Sequence, residues 1–352
     1  MSVHKISLPQ KVIVGKNAIN QICHVCYELK LCNKTVILTG PNVNKIAGEK
    51  VYDILCNANI QSELFVVKDF STYGVENISE KIRNLRDVSA IIGVGGGRVI
   101  DLTKLISFKT NVPYISVPTA ASHDGIASPI VSMKSNNKKF SIIVNPPISI
   151  IADSEIIARA PYKLTASGCG DIIAKFTAVK DWKLANKRIG EYYGDYAASL
   201  ALMSAKLVVK YASEIRHLTD DSIRTVIEAL ISCGVAMCIA GSSRPCSGAE
   251  HLFSHALEIL AKKPALHGEQ CGVGTIIMTY LHKGYWKRIK DTLSMVGAPT
   301  NAKELGVDEY EIIEAIVKAK DVRSDRYTIL NEKEISWKKA EEIAIVTGVI
   351  GS

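Results

Sequence analysis

Three of the chain's eight histidines, His251, His255 and His267, fall within the stretch Ser247–Gln270. His251 and His255 are four residues apart, so on a helix they leave from one face. His267 follows Pro264 and is predicted on a second element folding back toward the first. Two imidazoles one turn apart plus one from a neighbour suit a divalent metal that lacks only a carboxylate. The same residues also fit a helix with ordinary core or surface histidines. Ser247 with Glu250 three residues on reads as a capping box, which starts the helix just before the histidines. A carboxylate is available in Asp171, predicted at the start of an amphipathic helix behind Gly168 and Gly170. An acid there is either a partner of the helix dipole or, with His251 and His267, the third ligand of a tetrahedral site with one open position.

A second chemistry is written in Ile91–Asp101, IIGVGGGRVID, a strand, a glycine turn and a helix start. Consecutive glycines let backbone N–H groups come close to a phosphate, and the helix N-terminus adds partial positive charge. The usual dinucleotide fingerprint is incomplete, because position 98 is Arg and not Gly; a plain strand-to-helix turn is the other reading. Ser116–Pro129 leaves a strand end with small and hydroxyl side chains, among them Thr119, Ser122 and Ser128, able to bond phosphates or a nicotinamide amide. No acid follows the strand Lys34–Gly40 where an NAD enzyme often places one, and Lys45 is near, which leaves room for NADP.

The elements that must position these groups change character along the chain. Short β-branched runs alternate with helical patterns up to about residue 153: strands over Lys11–Gly15, Lys34–Gly40, Ser62–Phe70, Ser89–Gly97 and Pro113–Thr119, with further strands, read as a hairpin around a Pro-Pro turn, in Phe140–Asp153. This alternation predicts a mostly parallel, doubly wound α/β sheet. From Ser154 onward the periodicity is helical, including one helix over Leu164–Ala185. The expectation is an α/β nucleotide-binding domain over residues 1–153 and an all-α domain over 154–352, with the site in the cleft between them.

Composition narrows the function. With 47% hydrophobic and 22% charged residues the 352-residue chain is an ordinary globular protein. The net charge of +8 is dispersed, and the sparse aromatics are not interleaved with basic residues, which argues against nucleic acid. No run of 18 apolar residues and no leader pattern in the first ten residues points to a cytoplasmic protein with no membrane span. The nine cysteines read as reduced thiols, with the pair Cys23 and Cys26 as packing residues.

Taken together, GGGRVID, PTAASHDGIASP, GCGD, SRPCSGAEHLFSH and HGEQ, in this order and at these intervals, resemble the sn-glycerol-1-phosphate dehydrogenases, a family of the dehydroquinate synthase-like and iron-containing alcohol dehydrogenase superfamily. The resemblance runs from the first strand to Arg326–Leu330. It implies NAD(P)H contacts from Gly97, Arg98, Val99, Ile100 and Asp101, from Thr119, Ala120, Ala121 and Ser122, and from Ser128. It implies one Zn²⁺ per subunit on Asp171, His251 and His267, with Asp124, Asp171 and His255 facing the substrate. Iron-dependent relatives carry a histidine four residues after the aspartate; here that position is Lys175, which favours zinc, and which is also a candidate partner for a substrate phosphate. Arg98 fits the glycerol-1-phosphate branch. The implied reaction is reversible reduction of dihydroxyacetone phosphate to sn-glycerol 1-phosphate, with the metal polarising the C2 carbonyl, supplying the backbone of archaeal ether lipids. His255 is a candidate to orient a hydroxyl or relay a proton, or else to hold the metal site from outside; Asp124 is the other candidate for the proton. A homo-oligomer is expected. A polyol dehydrogenase on the same scaffold and a dehydroquinate synthase-like lyase are the alternatives.

Overall fold

The computed structural model describes residues 3–135 and 138–351 and, outside 132–140, their side chains. Its strands are β1 (Lys11–Gly15), β2 (Lys34–Thr39), β3 (Gln61–Val66), β4 (Val88–Gly95), β5 (Tyr114–Pro118), β6 (Ile130–Ser135), β7 (Lys138–Ile143) and β8 (Ser149–Asp153). Six of them form one parallel sheet in the order β1-β8-β5-β4-β2-β3. The central strands are apolar on both sides because helices cover both faces. Ile92 and Val94 of β4 face Ile22, Val51 and Leu55 on one side. Ile91 faces Val75, Leu102 and Ile106 on the other. Each such buried side chain contributes about 1.5–3 kcal/mol.

Two expectations need correction here. The strand predicted over Ser62–Phe70 is shorter, ending at Val66, because the next residues turn toward a helix capped by Ser71. The hairpin expected in Phe140–Asp153 forms earlier: β6 pairs antiparallel with β7, from Ile130↔Ile143 to Ser135↔Lys138. Beyond the two prolines, β8 joins the parallel sheet between β1 and β5, where all five residues are buried. An apolar run buried on both faces belongs inside a parallel sheet and not in a half-wet hairpin.

After Ser154 the described residues hold helices and no strand. Those used below, with the helix that follows β4, are α1 (Gly97–Thr110), α2 (Tyr162–Ile173), α3 (Lys175–Ile189), α4 (Asp220–Ala240), α5 (Ala249–Leu260) and α6 (His267–Leu281). The single helix predicted over Leu164–Ala185 is thus two, hinged at Ala174. Asp171 lies in the last turn of α2 and not at a helix start. Gly168 and Gly170 misled the reading: they are inside the helix because neighbouring backbone comes too close for a side chain. A Cβ on Gly168 would stand 2.1 Å from the Ala121 carbonyl oxygen, and one on Gly170 2.3 Å from that of Gly268.

Among the described residues one helix, α4, is long and apolar enough to cross a membrane. It packs instead against the helix Asp195–Lys210, and Gly234 in its middle meets Ala127 so closely that a Cβ would lie 2.6 Å from the alanine methyl. The helical core takes in Ala121, Ile126, Ala127, Ile150 and Ala152, so it reaches the sheet at β8, while two further clusters fill the faces of the central strands.

Candidate metal centre and cofactor cleft

Three helices bring the candidate ligands together. Asp171 comes from the end of α2, His251 from the first turn of α5, and His267 opens α6. The glycine contact between α2 and α6 sets the distance between Asp171 and His267. His251 Nε2 lies 3.6 Å from Asp171 Oδ1. A fourth donor, Cys271, sits one turn after His267, its Sγ 3.5 Å from His267 Nε2. One ligand atom from each of Asp171, His251, His267 and Cys271 lies within 4.8 Å of the others. His255 is outside this group; its ring centroid is 6.4 Å from that of His251 and 6.0 Å from that of His267. Cys271 was not singled out in the sequence, although its i+4 spacing from His267 was the available signal.

Glu250 has a different task from the one its spacing implied. The helix α5 is capped at Gly248 and not by a Ser247–Glu250 box. Asp181 Oδ2 accepts from the Ala249 N–H at 2.7 Å, and Glu250 Oε1 accepts from the Gly248 N–H at 2.6 Å. The buried Glu250 carboxylate also accepts from Thr177 Oγ1 at 2.7 Å and lies 2.8 Å from His251 Nδ1. Glu258, two turns on, stands 3.3 Å from His267 Nδ1. Each imidazole therefore has a carboxylate on Nδ1, which orients the ring with Nε2 toward the cluster, the usual second layer of a metal site.

Lys175 is fully buried, and its Nζ meets Asp171 Oδ1 at 2.7 Å and Asp124 Oδ2 at 2.8 Å. The notion that it binds a substrate phosphate gives way to this placement: two carboxylates already surround it. The Asp124 N–H donates to Asp171 Oδ2 at 2.8 Å. Burial alone would raise the Asp171 carboxyl, but Lys175 and the two histidines outweigh it and hold it well below the carboxylate range. Burial likewise opposes the Lys175 charge, and the two aspartates outweigh it, so the ammonium persists. Burial raises the Cys271 thiol, yet His251 and His267 bring it down to about 7. An oxygen, two imidazole nitrogens and a thiol that ionises this readily form a donor set that fits zinc.

Opposite the ligands lies the turn from β4 into α1, where Gly96 is the N-cap and no side chain caps it. A Cβ on Gly96 would meet nothing within 4 Å, so the backbone there is open to a ligand. Gly97 serves packing instead: its missing Cβ is where the His123 ring rests, 1.8 Å from Nε2. Arg98 is exposed, its guanidinium 4.4 Å above the Phe70 ring. Val99 and Ile100 are buried, and their N–H groups donate to the Gly96 carbonyl, which makes them the first turn of the helix. Asp101 holds the buried Lys104 at 2.9 Å. Thr119, Ala120 and Ala121 are buried beside this turn, the Thr119 N–H donating to the Gly95 carbonyl. The Ser122 carbonyl accepts from Ser167 Oγ at 3.1 Å.

One pocket joins the two sides. Asp101, Asp124 and Ser128 line it with His251, His255 and His267. Asp171, Gly97–Ile100 and Thr119–Ser122 are not among the residues that line it. His123, Ser243 and Ser247 line it too.

Comparison with known proteins agrees with this architecture. Residues 13–161 match the family described as iron-containing alcohol dehydrogenase. In solved structures, a glycerol dehydrogenase from Schizosaccharomyces pombe superposes with a TM-score of 0.81 at 20% identity, covering 99% of this chain and 91% of that one. A sulfoacetaldehyde reductase from Bifidobacterium kashiwanohense superposes at 0.74 with 18% identity, over 97% and 98%. At such identities the likeness is one of fold. Sequence relatives are far closer. A glycerol-1-phosphate dehydrogenase [NAD(P)+] from Pyrococcus horikoshii is 53% identical over 99% of this chain and 100% of its own. One of the same name from Methanobrevibacter smithii is 47% identical over 99% and 100%. By its fold and this end-to-end likeness, the chain belongs to the glycerol-1-phosphate dehydrogenase family, within the iron-containing alcohol dehydrogenase fold.

Proposed function

We propose that the chain reduces dihydroxyacetone phosphate reversibly to sn-glycerol 1-phosphate with NADH or NADPH. The full-length identity to glycerol-1-phosphate dehydrogenases supports the substrate, and the group of buried Asp171, His251 and Cys271 with half-buried His267 carries the chemistry. A divalent metal bound there, zinc by its donors, supplies Lewis-acid polarisation of the substrate carbonyl, and the nicotinamide supplies the hydride.

The rest is the work of the chain's own residues. Asp171, His251 and His267 hold the metal, one ion per subunit, with Cys271 in reach as a further donor. Glu250 and Glu258 fix the imidazoles. Lys175 keeps Asp171 ionised and ties it to Asp124, which faces the substrate from the pocket wall with His255. Proton delivery falls to His255 or Asp124. Gly97–Asp101, Thr119–Ser122 and Ser128 would hold the cofactor, with open backbone at Gly96 to admit its phosphates. A division at 153/154 puts the cofactor side on the sheet and the metal side on the helices. The product would serve as the glycerophosphate of archaeal ether lipids, made in the cytoplasm by a homo-oligomer.

One assay tests this reading: NADH and NADPH oxidation with dihydroxyacetone phosphate against dihydroxyacetone, with and without a chelator. Chelator-sensitive oxidation with the phosphorylated substrate is expected. Oxidation with neither substrate would remove this reading and that of a polyol dehydrogenase together.

A further inference from the structure

Among the described residues, most buried cations near the pocket are already matched by carboxylates. Lys104 pairs with Asp101, Lys175 with Asp124 and Asp171, and Arg244 with both oxygens of Glu191. Arg326 is the exception. It is 7% exposed, and no carboxylate forms an ion pair with it. Its guanidinium donates to two neutral oxygens: Nη1 to the Ser247 carbonyl at 2.5 Å and Nη2 to Ser243 Oγ at 2.7 Å. Both serines line the pocket that holds Asp124, His251 and His255.

A buried charge with no carboxylate in direct contact is costly. Burial, with Arg323 and Arg244 adding to it and Asp325 and Glu191 opposing it in part, brings the Arg326 guanidinium down to about 9, which still leaves it charged at neutral pH. The Ser243 hydroxyl accepts from Arg326, so its own proton is left to donate elsewhere. The nearby N-terminus of α5 is not available to an anion, because Asp181 and Glu250 already take its first N–H groups.

We propose that Ser243 and Ser247, braced and charged from behind by Arg326, form the subsite for the phosphate dianion of the substrate. The two serines touch the phosphate; Arg326 is a positioning residue that fixes Ser243 Oγ and the Ser247 backbone and supplies the field. This subsite rests on the proposed reaction, for which the metal centre handles the carbonyl end of the same molecule.

The test is steady-state kinetics of the metal-loaded enzyme and of Arg326→Met with dihydroxyacetone phosphate and with dihydroxyacetone, plus inhibition by inorganic phosphate. Losing the charge and the brace behind the two serines should raise KM for the phosphorylated substrate about tenfold or more and weaken phosphate inhibition in parallel. The preference for the phosphorylated substrate should fall by the same factor, whereas a general folding defect would lower both substrates together. Arg326→Lys should recover part of the loss. An unchanged preference in Arg326→Met would overturn the subsite while leaving the reaction intact. A wild-type enzyme without any preference for the phosphorylated substrate would instead overturn the reaction. If Arg326→Met does not fold, Ser243→Ala reads the same point: a rise in KM for dihydroxyacetone phosphate supports the subsite, and an unmoved KM and phosphate inhibition overturn it.

Discussion

Two wholly buried lysines stand behind the cleft, each paired with an aspartate that lines it, and their sequence settings look alike. Lys104 binds an aspartate one turn earlier on its helix, Asp101; Lys175 binds Asp171 one turn earlier across the α2–α3 break. Their surroundings differ. Lys104 also donates to the Ile130 carbonyl at 3.1 Å and reaches Ser128 Oγ at 3.4 Å, and its carboxylate partner is 31% exposed. Among the described residues the hydrogen-bond partners of Lys175 are two carboxylates, and Asp171 is 1% exposed. On the cofactor side the ammonium fastens backbone: it pins the start of the β6–β7 hairpin to α1. On the metal side it balances charge that a bound cation would share. A lysine-aspartate pair is therefore not one device, and neighbouring oxygens decide which it is.

The comparison can be broken at four points. Asp171→Asn removes the carboxylate on which the metal side depends; bound zinc should vanish and turnover should fall about 10³-fold, since a metal's Lewis acidity is worth several kcal/mol. Metal analysis beside NAD(P)H oxidation checks it, and a variant that keeps its zinc would separate Asp171 from coordination. Lys175→Met leaves Asp171 and Asp124 facing one another without a cation and should cost about 3–5 kcal/mol in the metal-free protein. Added zinc should recover a good part of that loss in a thermal melt. Lys104→Met should cost less, about 2 kcal/mol, because Asp101 is partly solvated and the lost partners are mainly neutral. Zinc should recover none of it; equal recovery in the two variants would mean that the lysines do the same job. Gly97→Ala pushes a methyl into the His123 ring and should raise KM for the nicotinamide cofactor about tenfold, with zinc content untouched.

The sheet was readable because β2, β4 and β8 are apolar on both faces and separated by helix-length segments. Pairing order was not: nothing local in Ser149–Asp153 says that it inserts between β1 and β5. At the site, His251, His267 and Asp171 stood out as residue types. What escaped was how they are held. Glu250 looked like a cap because its spacing from Ser247 suited one, and its partner Thr177 is 73 residues away in sequence. Cys271 looked like one of many buried thiols, since a thiol's company depends on tertiary contact. Gly168 and Gly170 suggested a break because glycine is read by its freedom; here they matter for their lack of bulk.

That lack of bulk has a mechanical consequence. The segment 119–128 grows out of the sheet, yet its backbone is pressed against Gly168 at Ala121 and against Gly234 at Ala127. The Asp124 N–H adds a bond to Asp171. Half of the proposed cofactor wall is thereby bolted to the helices that carry the candidate metal ligands. From the sheet side the same segment is met by the Thr119–Gly95 backbone bond, by Gly97 under the His123 ring, by Ser116 Oγ on the Ile126 carbonyl and by Lys104 at Ser128. The segment is thus held from both sides, by the helices at Ala121, Asp124 and Ala127 and by the sheet side at Ile126 and Ser128, so the covalent boundary between sheet and helices does not mark where one ends and the other begins.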